Sequence, residues 1–79
     1  MNVRRSIRGM TQRVTLDSSA IEAVTHDEAK RTLDVEFREA HSYRYMHVPE
    51  SVYHALLKAE SAGAFWISVK DRFDCMKLD

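Results

Sequence analysis

Leu33, Val35 and Phe37 alternate with Asp34, Glu36 and Arg38, and six residues of strict period 2 commit this stretch to a strand with one apolar and one polar face. Such a strand needs neighbours for its backbone and a cover for its apolar side. The flanking sequence offers both. Ile21, Ala23 and Val24, after Asp17, Ser18 and Ser19 and before His26 and Asp27, read as a preceding strand, with Asp27 to Arg31 as a polar turn. Tyr43, Tyr45 and His47 alternate with Ser42, Arg44 and Met46 and read as a following strand that stops before Pro49. The expectation is a three-stranded antiparallel meander.

The faces also set an expected register. With Glu39, Ala40 and His41 as the loop, Phe37 opposes Tyr43, Val35 opposes Tyr45, and Glu36 meets Arg44 across the other face as an opposite-charge pair. A loop of Ala40 and His41 alone sets Arg38 against Tyr43 and mixes charged with aromatic groups, so it is rejected. No glycine eases this turn.

The cover comes next in the chain. Pro49 suits the first turn of a helix, where its missing N–H costs nothing, and Glu50 adds favourable charge there. Val52, Leu56 and Ala59, with Tyr53 alongside, form one apolar stripe that suits the face of Leu33, Val35, Phe37 and Tyr45. Gly63 reads as the end of this helix. Beyond it, Phe65, Trp66, Val69 and Phe73 fall on one side of a short second helix, while a strand through Phe65, Ile67 and Val69 fits as well. The expected class is therefore α+β: a three-stranded antiparallel meander, a helix packed on one face, and a short C-terminal helix.

A chain of 79 residues holds one core, and the 44% of hydrophobic residues includes eight alanines. Twelve basic and twelve acidic residues balance overall but are unevenly placed. Residues 1–13 carry Arg4, Arg5, Arg8 and Arg13 and no acid, which reads as a flexible basic arm, or as an upstream extension if Met10 is the initiator. Residues 14–79 form the single domain, with eight basic and twelve acidic groups and a net charge of −4, a poor footprint for phosphate. Cys75 is the only cysteine, so no internal disulfide or Cys-x-x-Cys pair exists, in keeping with a reducing cytoplasm. No apolar run approaches the length of a signal core or a membrane span, and the expected location is cytoplasmic.

Ser18-Ser19, Ile21, Leu33-x-Val35-x-Phe37, Tyr43-x-Tyr45, Val48-Pro49, Val52-Tyr53, Leu56, Ala59 and Ser61-x-Gly63 occur in an order that resembles the KTSC domain family. That family is named for the C-terminal domain of some lysyl-tRNA synthetases and includes small stand-alone bacterial proteins. The resemblance covers roughly residues 17 to 73. Three departures stand out: the family usually has glycine in the loop where this chain has Glu39, Ala40 and His41, often has tyrosine where it has His26, and runs after Gly63 through a pattern that Phe65, Trp66, Val69, Lys70 and Phe73 match only with a shift. The resemblance implies a small α+β domain, a suggested role in RNA binding, and no catalysis.

The residues bear on that role directly. Exposed sheet aromatics stack on unpaired bases, which makes Tyr43 and Tyr45, with Arg44 between them, candidate nucleic-acid contacts. Lys70 and Arg72, together with the arginines of the arm, would add phosphate attraction. The register opposes this in part, since it puts both tyrosines on the covered face, Tyr43 nearer the rim. Asp71 and Asp74 interleave with Lys70 and Arg72, the pattern of a solvated face. A protein partner, met at a sheet edge or on a Phe65-Trp66 surface, is the alternative. Glu50 and His54 share a helix face but supply only two metal ligands. Cys75 or Ser61 has no evident base, and Gly9 and Gly63 alone build no phosphate loop. The expectation is a non-enzymatic binding module without cofactor or metal.

Overall fold

The computed structural model describes residues 11–79. Five strands form one antiparallel sheet in the order β1-β2-β3-β4-β5: β1 (Thr11–Thr15), β2 (Ile21–Asp27), β3 (Thr32–Phe37), β4 (Ser42–Tyr45) and β5 (Cys75–Lys77). Helices α1 (Glu50–Lys58) and α2 (Ala62–Val69), followed by a 3₁₀ turn at Lys70–Arg72, link β4 to β5. The α+β class and the consecutive β2-β3-β4 meander stand, but the sheet has five strands rather than three. β1 takes Thr11, Gln12 and Arg13 out of the expected arm, so the boundary at residue 13 falls inside a strand. Arg4, Arg5 and Arg8 lie outside the described residues. β5, a strand the sequence pattern does not signal, pairs Cys75 with Tyr45.

Ile21, Val24, Leu33, Val35, Tyr45, Val48, Leu56 and Trp66 form the core between the sheet and the helices. Ile21 and Val24 are three apart yet share the covered face, because Glu22 is the extra residue of a bulge between Ile21 and Ala23. The β3–β4 register is shifted by two from expectation: Leu33 opposes Tyr45, Asp34 opposes Arg44, Val35 opposes Tyr43 and Glu36 opposes Ser42. A shift of two keeps every side chain on its expected face. The turn closes without glycine because Glu39 takes a left-handed backbone, φ 56°. His47, expected in the strand, lies past its end, also left-handed at φ 57°.

Gly63 does not end α1. It is the second residue of α2, where a Cβ would stand 2.8 Å from that of Ala20. α1 stops at Lys58, and Ser61 caps α2 by accepting the Ala64 N–H at 3.2 Å. Residues 62–69 are helical, which decides against the strand through Phe65, Ile67 and Val69. No helix among the described residues is long and apolar enough to cross a membrane.

Candidate binding surfaces

The candidate aromatic pair faces the helices. Tyr45 is 4% exposed and meets Trp66 edge-to-face at 4.9 Å, while Tyr43 is half-buried against Phe37 at 6.2 Å. Burial pushes the Tyr45 phenol above its usual range; the neighbouring Trp66 N–H offsets part of this, although it falls short of hydrogen-bond geometry and Trp66 Nε1 has no partner. Trp66 is 0% exposed and stacks on Phe73. A Phe65-Trp66 docking surface is therefore excluded as far as Trp66 is concerned, since its ring is core.

The opposite sheet face is open and polar. Arg44 forks onto Asp34 at 2.7 and 3.0 Å, and Arg13 forks onto Glu36 at 2.9 and 3.0 Å, each carboxylate raising its guanidinium's pKa. The expected Glu36–Arg44 pair is thus replaced by two others, because the register shift puts Asp34 beside Arg44 and the unforeseen β1 brings Arg13 to Glu36. Lys70 contacts Asp71 at 3.3 Å, which raises its pKa, and Arg72 is exposed in the 3₁₀ turn. The candidate nucleic-acid residues in the described region do not converge: the tyrosines, the open-face arginines and the C-terminal cations occupy different places, and three of the cations carry a carboxylate. No trio of His, Cys, Asp or Glu among the described residues is close enough to hold a metal.

Sequence reasoning missed three features. Arg38 clamps the β1–β2 loop: its guanidinium binds the carbonyls of Leu16 and Ser18 and the Glu22 carboxylate. Ser18, part of the family pattern, accepts the N–H groups of Ala20 and Ile21 at 3.1 Å and so starts β2. His26 is 7% exposed, stacked on Tyr53 at 4.7 Å, with Nε2 donating to the Val48 carbonyl at 3.1 Å.

β5 is a sheet edge with an apolar margin. Leu78 N–H donates to Ser42 O and Met46 N–H to Asp74 O, both at 2.8 Å. Antiparallel alternation then turns the N–H and C=O of Met76 toward Arg44, and those of Cys75 and Lys77 outward. Met76 is 50% and Leu78 41% exposed, and both lie on the open face by strand parity. The other edge, β1, shows Thr11, Arg13 and Thr15 on that face, with Arg13 already paired.

Comparison with known proteins places this chain among small domains of one kind. The KTSC domain family model matches residues 17–73. A protein from Tsukamurella paurometabola is 42% identical over 64 residues, covering 80% of this chain and 96% of that one. An uncharacterized protein from Stutzerimonas stutzeri is 42% identical over 52 residues, covering 66% of this chain and 73% of that one. The crystal structure of a KTSC domain protein from Yersinia pestis superposes with a TM-score of 0.84 at 36% identity, covering 87% of this chain and 99% of the other.

Proposed function

The chain belongs to the KTSC domain family, and we propose that it is a protein-interaction module that accepts an extended segment of a partner protein along the outer edge of β5. The observation that carries this reading is the combination at that edge of outward backbone groups from Cys75 and Lys77 with the exposed side chains of Met76 and Leu78. An added strand would satisfy the backbone groups and cover both side chains, so the partner segment carries aliphatic residues at alternate positions. Lys77 marks the same edge with a charge that discourages indiscriminate pairing.

Nucleic-acid binding is the rival reading, and it rests on the arm arginines Arg4, Arg5 and Arg8. Against it, Tyr45 is core and Arg13, Arg38 and Arg44 are engaged with carboxylates.

Peptides selected from a displayed random library against the purified chain test the proposal. The expected binders lose affinity for Lys77→Pro, which removes an outward N–H while leaving the β4–β5 ladder intact. Binders indifferent to Lys77→Pro would refute it. So would tight, salt-sensitive binding of single-stranded RNA by a chain that selects no peptide, with a log–log salt slope no steeper than about −2 for the three arm arginines.

A further inference from the structure

The turn between β2 and β3 and the start of α1 enclose a cleft of about 200 Å³ lined by His26, Glu28, Arg31 and Glu50. Its walls are held together by two hydrogen bonds: the Val48 N–H donates to Arg31 O at 2.7 Å, and the His26 side chain donates through Nε2–H to Val48 O at 3.1 Å. Arg31 is fixed in a left-handed conformation, φ 57°. The cleft thus has a defined shape although its rim is exposed.

Its charges, all on exposed side chains, do not meet one another. The ion pairs of the described residues include none between Arg31 and Glu28 or Glu50. Glu50 has only an exposed contact with His54 at 3.6 Å. Opposite charges that line one small cleft without pairing leave separate places for a cationic and an anionic group. The anionic group gains further from α1, whose N-cap is Pro49 and which has no side-chain cap on its first N–H groups. His26 is more than nine-tenths buried. Its Nε2 is spent on Val48 and one ring face on Tyr53, and its Nδ1 has no hydrogen bond among the described residues, so the remaining ring surface is what it offers to the cleft. The acids and the histidine are too dispersed for a metal ion.

We propose that this cleft binds a small zwitterion, with the α-amino acids as the type: the carboxylate on Arg31 and the start of α1, the ammonium on Glu28 and Glu50, and the backbone of the ligand against His26. The site is independent of the β5 edge, which lies across the sheet from β2 and β3.

Titration of the full ¹⁵N-labelled chain with glycine, glycinamide and acetate, followed through backbone amides, tests this. Glycine should give saturable shifts confined to residues 26–31 and 48–51, with a dissociation constant of about 1–10 mM for so small a ligand. Glycinamide and acetate, each lacking one charge, should bind at least about tenfold more weakly. Arg31→Gln and Glu50→Gln should each weaken glycine about fivefold or more, and Arg72→Gln should leave it unchanged. A variant whose amide spectrum loses its native dispersion is set aside, and the comparison of the three ligands on the unaltered chain then decides. Acetate as strong as glycine, glycinamide as strong as glycine, or no saturable shift up to about 50 mM would overturn the proposal.

Discussion

Glu39→Gly should stabilise the domain, although it removes a charged residue from an exposed turn. Glu39 closes the β3–β4 hairpin with φ 56°, a conformation that costs a residue with a Cβ about 1–2 kcal/mol and glycine almost nothing. Glycine returns about 0.5–1 kcal/mol of this by its greater freedom in the unfolded chain. The Glu39 side chain forms no ion pair or hydrogen bond among the described residues, so nothing else is lost. The net gain is about 0.75 kcal/mol at mid-range, within about 0–1.5, set against a total of about 4–12 kcal/mol for a domain of this length. In thermal unfolding this is a rise of about 3–6 °C, and in urea a higher midpoint at unchanged slope. Ala40→Gly is the control: Ala40 is not left-handed, so only the entropy cost remains and stability should fall. Equal effects of the two substitutions, or a loss for Glu39→Gly, would refute the assignment of the turn and with it the β3–β4 register.

Gly63→Ala should destabilise by about 1 kcal/mol despite its gain in helix propensity, because its Cβ would meet Ala20 Cβ at 2.8 Å and overpacking against a rigid neighbour costs about 1–3 kcal/mol. Adding Ala20→Gly should recover part of that loss, measured as a coupling energy in a double-mutant cycle. Trp66→Ala should cost about 3–5 kcal/mol in urea unfolding, near the whole stability of the domain, as expected of a fully buried ring. Asp79 is held below the usual carboxylate range by the Ser42 N–H, with His41 nearby. Its support of β5 is therefore present above the unfolded carboxylate's pKa and is lost as pH falls through the lower folded value, seen as a smaller Ser42 amide protection factor in acid and at all pH values in Asp79→Ala. Burial pushes Tyr45 and Tyr53 upward, so stability should hold below about pH 10 and fall above it as the unfolded phenols ionise first, with a weaker fall in Tyr53→Phe.

The middle of the fold was legible because Leu33, Val35 and Phe37 announce their face by period, and any slip by an even number preserves it. The period therefore puts the tyrosines on the covered side but leaves the partner of Arg44 open, since a charge pair at Glu36 and one at Asp34 satisfy the same alternation. The outer strands were silent for a physical reason. In β1, Thr11, Gln12, Arg13 and Thr15 surround the single apolar Val14, and all three residues of β5 are exposed, so neither strand carries an amphipathic pattern. Their pairing rests on backbone hydrogen bonds and cross-strand contacts, which periodicity does not record. Gly63 misled because a glycine near a helix end usually serves as a stop, and only the folded chain brings Ala20 against it. The cleft at His26 joins a turn to a helix start some twenty residues away, a distance that spacing rules do not bridge.

The most direct test of the β5-edge account is an intermolecular NOE measurement on the labelled chain bound to a selected unlabelled peptide. The account predicts cross-strand contacts between the peptide backbone and Cys75, Met76 and Lys77, protection of the outward Cys75 and Lys77 amides from exchange, and side-chain contacts to Met76 and Leu78. Contacts at β1 or α2 instead, with Cys75 and Lys77 amides as exchangeable as in the free chain, would contradict it.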